Sequence, residues 1–252
     1  TTDQTVRIVS AYAQNEWKNR HWGILIGGRL DRHNLIKGII FSPRANVRFN
    51  PSENINFRAS YSAGFRAPQA FDEDLHIEAV GGGVSMIELA SDLQEEKSHS
   101  FSLSADLYQR WGDFQGNLLV EGFYTTLNDV FALREKSHEN GILTLERHNA
   151  SGANVYGVTM EGKLAYQNKL QLQAGATLQK SEYKEPEQWS ETAKAEKRIA
   201  RTPEAYGYFT LSYTPIKPLT AAFSGTYTGS MLMQHVAGYV PEDIAVETPE
   251  FF

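Results

Sequence analysis

From Asn54 to Ser62 the chain alternates strictly, with Ile55, Phe57, Ala59 and Tyr61 on one side and Asn54, Asn56, Arg58, Ser60 and Ser62 on the other. A period of two sends successive side chains to opposite faces of an extended backbone, so this segment predicts a strand with one apolar and one polar face. The same pattern predicts strands over 5–16, 22–31, 43–50, 54–63, 98–110, 116–127, 154–166, 170–180, 204–213 and 219–229. Most reach about 10 residues, against about 5 or 6 in a soluble sandwich and about 9 to 11 for a tilted strand crossing a bilayer. Arg44, Asn46, Arg48 and Asn50 alternate with Ala45, Val47 and Phe49, and Gln171, Gln173 and Thr177 with Leu170, Leu172, Ala174, Ala176 and Leu178. A wide barrel with a wet or plugged interior and an apolar outside carries this pattern.

The connections sharpen the expectation. Tight turns at Pro51-Ser52-Glu53-Asn54, Trp111-Gly112-Asp113-Phe114, Gln167-Asn168-Lys169 and Thr214-Pro215-Ile216-Lys217-Pro218 alternate with long excursions, the last a polar loop from Lys184 to Arg201. Short turns at one end and long loops at the other are the habit of outer-membrane barrels. Aromatics near predicted strand ends, namely Tyr61, Phe65, Tyr108, Trp111, Tyr124, Tyr156, Tyr166, Tyr213 and Tyr227, are candidates for girdles at the headgroup level. The fold class expected is all-β, an antiparallel transmembrane β-barrel segment of about ten strands whose barrel is incomplete.

Composition narrows the functions. No segment approaches the roughly 18 consecutive apolar residues of a membrane-spanning helix. The mean hydropathy of -0.43 suits a barrel as well as a soluble chain, because the two faces average out. There are no cysteines, hence no disulfide framework or thiolate chemistry. A net charge of -6 and a pI near 5.7 argue against nucleic acid as a partner. Thr1 to Val9 lacks the features of a signal peptide, so the chain is expected to be mature or cut from something longer.

Four segments in order resemble one family. Ser42-Pro43-Arg44 precedes a Pro51-Ser52 turn and a strand ending Gly64-Phe65-Arg66-Ala67-Pro68, and Leu93-Gln94-Glu95-Glu96-Lys97-Ser98 leads into the next strand with Glu95 where the family usually has proline. Asn149-Ala150-Ser151-Gly152-Ala153-Asn154-Val155-Tyr156-Gly157-Val158 and Arg201-Thr202-Pro203 follow. Together these look like the barrel of TonB-dependent outer-membrane receptors. The resemblance implies a bacterial outer-membrane location, outer-membrane lipid around the barrel, and uptake of a scarce nutrient such as an iron chelate, a vitamin or a glycan. It also implies a plug, a region contacting the TonB complex and final strands. None of these is recognisable in 1–252, and Val246 to Phe252 reads as the approach to another strand. Two unpaired edges in lipid would be costly, so the chain is expected to pair with a second copy or to be a fragment of a larger barrel.

The candidate ligand-binding residues are Arg44, Arg48 and Arg58 on the lumen-facing side, with Glu161 and Lys163 lining the same path, and Phe65, Arg66, Asp72, Glu73, Asp74 and His76 toward the outer loops. No catalytic residue, metal or cofactor is expected. The histidines at 21, 33, 76, 99, 138, 148 and 235 never adopt a His-x-x-x-His spacing, Ser181-Glu182-Tyr183-Lys184 lacks the partner motifs of penicillin-binding enzymes, and Gly81-Gly82-Gly83 lacks a phosphate-loop ending. The acidic run Asp72-Glu73-Asp74 with His76 and Glu78 reads first as a solvated loop and second as a divalent-cation site. The competing reading is a β-sandwich module for adhesion or ligand binding without transport. A membrane-barrel enzyme would need a convergent acid-base or nucleophile pair at one rim, which the sequence does not offer.

Overall fold

The computed structural model describes residues 5–68, 84–139, 142–167, 169–189, 193–235 and 242–252. In chain order its strands are β1 (Ile8–Lys18), β2 (Trp22–His33), β3 (Ile40–Ser52), β4 (Ile55–Arg66), β5 (Val84–Leu89), β6 (Glu96–Trp111), β7 (Phe114–Asn128) and β8 (Phe131–Glu139). They continue as β9 (Ile142–Asn149), β10 (Ala153–Tyr166), β11 (Leu170–Glu187), β12 (Glu196–Arg198), β13 (Ala205–Ile216), β14 (Leu219–Thr228), β15 (Leu232–His235) and β16 (Ile244–Glu247). Ten long strands pair in the order β1-β2-β3-β4-β6-β7-β10-β11-β13-β14, all antiparallel, each next to the long strand before it. They match the ten segments predicted from alternation, and the sheet does not close.

Register makes the two faces continuous. Tyr61, Phe101, Tyr124 and Tyr156 lie directly opposite one another across β4, β6, β7 and β10. Ring centroids are 4.8 Å apart for Tyr61 and Phe101 and 6.3 Å apart for Tyr124 and Tyr156. A second aromatic row follows the short turns, where Trp22 stacks on Phe49 at 4.4 Å and Phe114 packs tilted against Tyr166 at 4.7 Å. Phe101 and Trp111, Phe114 and Tyr124, and Tyr156 and Tyr166 are each ten positions apart on the same face. Ten steps of about 3.3 Å, projected at a tilt near 40°, separate the rows by about 25 Å, the height of an outer-membrane apolar band. Between them stand Leu103, Leu107, Leu118, Val158, Met160, Leu164 and Leu172, all exposed. Among the described residues no second sheet packs on this face. The surface a sandwich would bury is thus turned outward.

Tyr108 departs from the girdle expected of it. It lies on the opposite face, across from Asn117, and donates to Asp106 at 2.8 Å. Its position next to the turn resembles that of Trp111, but it stands an odd number of residues away, and parity decides the face.

The long-loop end also differs from expectation. The excursions after β4 and β7, read as loops, contain β5, β8 and β9, which form a separate sheet in the order β5-β9-β8. The polar stretch from Lys184 is partly strand as well, since β11 runs on to Glu187 and β12 pairs back against Glu182 and Glu187. Beyond the long sheet a hairpin needs only its backbone hydrogen bonds, so alternation no longer marks the strand. Among the described residues buried apolar side chains are few, and Ala67, Val130, Leu145, Ala150 and Ala153 stand at this end. At the far edge Thr228 and Phe251 exchange two backbone hydrogen bonds of 3.0 Å, and Phe252 lies 4.9 Å from the Tyr227 ring, so 250–252 runs beside β14.

Candidate functional site

The face opposite the apolar band is polar and carries the charged side chains. Arg48 stands directly across from Arg58, and Arg44 across from Ser62. The Arg48 guanidinium lies over Gly23 on β2, where the lack of a side chain leaves it room, and its Nε is buried without a hydrogen-bond partner. Like charges directly opposite on a sheet repel. Among the described residues no carboxylate forms a salt bridge with Arg44, Arg48 or Arg58. Across the same face Glu121 sits on β7, with Glu161 and Lys163 on β10. The wall is therefore basic on β3 and β4 and acidic further along, at Asp106, Glu121 and Glu161.

Near the short turns this face opens a shallow groove of about 350 Å³ lined by Tyr108, Asn117, Lys163, Gln173, Thr210 and Ser212, among others. Gln173 donates to the Tyr208 hydroxyl at 3.0 Å, and Asn117 to Asp106. Apart from Lys163, these groove residues were not among the sequence candidates. Their only signal was membership of the polar alternation, which many residues share.

The outer candidates fall in different places. Arg66 Nε donates to Glu96 at 2.7 Å, and its guanidinium lies 4.7 Å from the centre of the Phe131 ring. Phe65, one residue earlier, is on the apolar face opposite Lys97 and so points away from Arg44, Arg48 and Arg58. Asp72, Glu73, Asp74 and His76 lie outside the described residues, as does Gly81-Gly82-Gly83.

Above Arg66 the small sheet carries a charge network. Arg134 donates to Glu146 at 2.9 Å, while Lys136 reaches Glu88 at 2.7 Å and Glu146 at 3.9 Å. The Arg134 hydrogen bond holds the Glu146 carboxyl below the usual carboxylate range, and the hydrogen bond to Glu88 holds the Lys136 ammonium above its usual range. The signs give a window. The Glu146 contribution is complete above its ordinary value of 4.5 and is lost as pH falls through the lowered one. The Lys136 contribution is complete below 10.5 and is lost as pH rises through the raised one. Lys136 is half exposed and Glu146 lies at the solvent boundary, so the effect is small and screened by salt. Amide-exchange protection of β8 and β9 is expected to be flat between about pH 5 and 10 and to fall by a small factor outside that window; protection that peaks inside it would contradict the network.

A family model described as TonB dependent receptor-like, beta-barrel matches residues 1–244. The chain belongs to the TonB-dependent receptor β-barrel family. This is a family of transporters and not of enzymes. No relative is found among the curated proteins. Among solved structures, the siderophore receptor PirA from Acinetobacter baumannii aligns with a TM-score of 0.72 at 14% identity over 98% of this chain and 38% of its own. The FrpB iron transporter from Neisseria meningitidis (F3-3 variant) gives 0.67 at 15% identity, over 98% and 37%. A ferric enterobactin receptor mutant (PfeA R480A) from Pseudomonas aeruginosa, in complex with enterobactin, gives 0.68 at 15%, over 98% and 36%. These likenesses are of fold, and the chain spans 36% to 38% of the three proteins.

Proposed function

We propose that this chain forms part of the barrel wall of a bacterial outer-membrane receptor that takes up a scarce iron chelate, with energy coupled through TonB. One observation carries the reading: in a chain of this family, an apolar band between two aromatic rows ten residues apart backs onto a charged inner face. Iron is favoured over a vitamin or a glycan because the similar structures are siderophore and iron receptors. Further strands would close the sheet beyond β1 and β14, and a plug and a TonB-contacting region would belong to the same protein. In this reading Arg44, Arg48 and Arg58 receive the cargo on its way inward, because an anionic chelate relieves the repulsion between Arg48 and Arg58. Arg66 holds its place beside Glu96, and Asp72, Glu73, Asp74 and His76 serve the outer mouth, whereas Phe65, on the apolar face, takes no part in receiving the cargo.

The test uses the complete receptor in cells lacking other iron receptors. Uptake of labelled ferric chelates is expected, is lost when the proton-motive force is discharged, and falls about tenfold in the Arg48→Gln/Arg58→Gln variant, the scale of one charge-assisted hydrogen bond. Energised uptake of a vitamin or glycan but of no ferric chelate would overturn the choice of cargo. Uptake that survives discharge of the gradient would overturn the coupling.

A further inference from the structure

Strand β5 belongs to the connection between β4 and β6, whereas β8 and β9 belong to the connection between β7 and β10. Yet β5 pairs with β9 in parallel, from Val84 opposite Ile142 to Leu89 opposite Arg147. A tight hairpin cannot give parallel neighbours, so this pairing ties two separate outer loops into one sheet. At the end of β9 one side chain gathers the same two loops. Asn149 accepts the Gln94 amide at 2.8 Å and donates to the Gln94 carbonyl at 3.2 Å and the Asp129 carbonyl at 2.7 Å. Gln94 lies just before β6, in the first loop, and Asp129 just after β7, in the second. Asp129 itself stands at a φ of 55°, where the chain turns off β7. Backbone bonds flank the clip, Ala90 to Arg147 at 2.9 Å and Ala150 to Val130 at 2.7 Å. On the outward side Lys136 bridges Glu88 of the first loop and Glu146 of the second.

We infer that the described parts of the two loops, β5 to the start of β6 and β8 with β9, open as a single unit, and that Asn149 is the positioning residue that latches them together. An amide side chain suits the place because it alone offers an acceptor and two donors from one short stem. Aspartate would keep the contact to the Gln94 amide and lose both donated bonds. A ligand that stabilises β5 then stabilises β9 as well.

Hydrogen exchange on the complete receptor in detergent micelles tests this without a ligand. In the unaltered protein β5 and β9 are expected to share one protection level, because they open in one event. Asn149→Ala is expected to speed exchange of both by a common factor of about ten or more, while β3 and β6 stay unchanged and report an intact barrel wall. Residues 1–252 contain no cysteine, so a Glu88→Cys/Glu146→Cys pair, at positions directly opposite in the register, can be oxidised cleanly once any cysteine elsewhere in the receptor is replaced by serine. In the Asn149→Ala background the oxidised bond is expected to restore protection of both strands, and reduction to remove it. Should Asn149→Ala not fold, the same pair in the otherwise unaltered protein is read instead, and oxidation is expected to slow β5 and β9 together. Exchange of β5 at a rate unrelated to that of β9, a variant leaving both unchanged, or a crosslink that protects only one strand would overturn the inference.

Discussion

Replacing Met160 with arginine is expected to destabilise the protein in a bilayer by about 2–4 kcal/mol, the cost of a cation at the midplane of a membrane barrel. Met160 lies between Tyr156 and Tyr166, is 51% exposed, and has Val120 and Ala176 across from it on β7 and β11. Ala105 and Gly207, the next residues along the row, carry no polar side chain either. Thr159→Arg, one residue away, points to the inner face opposite Glu121 and loses the 3.0 Å hydrogen bond to Thr177. It is expected to cost within about 1 kcal/mol, since a net hydrogen bond is lost and an opposite-charge pair gained. Against a typical total of about 5–15 kcal/mol the first change is severe and the second mild. A third variant separates lipid from a hidden protein layer: Met160→Trp is expected to be neutral, because lipid chains yield, whereas a packed layer would resist the added volume by about 1–3 kcal/mol. Urea titration of the protein folded into lipid vesicles measures all three. Equal effects of the two arginines, or a strongly destabilising tryptophan, would remove the lipid-facing assignment.

The wall was legible because lipid and lumen impose opposite demands on alternate residues. Leu118, Val120, Val158 and Met160 therefore declare their face in the sequence, as do Arg44, Arg48 and Arg58. What a single strand cannot declare is which residues become neighbours. The facing of Arg48 and Arg58 depends on the turn at Pro51–Asn54, and the groove around Asn117 and Gln173 depends on four strands coming into register. Outside the membrane the demand for alternation ends, and with it the signal for β5, β8 and β9. Lys136 and Glu88 meet across 48 residues of sequence, through a parallel pairing that no local pattern announces. The motif from Asn149 to Gly152 was visible as a family marker, but its reason is three-dimensional. Asn149 bonds to a different loop, and Gly152 answers to a carbonyl on β7.

Gly152→Ala is accordingly expected to be among the most damaging small substitutions in the chain. The backbone at Gly152 has φ of +112°, which residues with a side chain rarely adopt, and a Cβ there would stand 2.5 Å from the Leu127 carbonyl oxygen. That oxygen cannot retreat easily, because Leu127 is paired with Ala153, whose side chain is wholly buried. Lys184 also fixes the turn by donating its amide to the Gly152 carbonyl at 2.9 Å. Backbone strain of about 1–3 kcal/mol adds to an overpacking cost of similar size, giving about 2–6 kcal/mol. Gly38 supplies the control: its φ is +103°, but a Cβ there meets nothing within 4 Å. Gly38→Ala therefore carries the strain without the collision and is expected to cost about 1–3 kcal/mol. The difference between the two urea midpoints isolates the contact with Leu127. Equal midpoints would mean that the dihedral alone dictates glycine at the start of β10, and that β7 gives way to a methyl group more readily than its pairing with Ala153 implies.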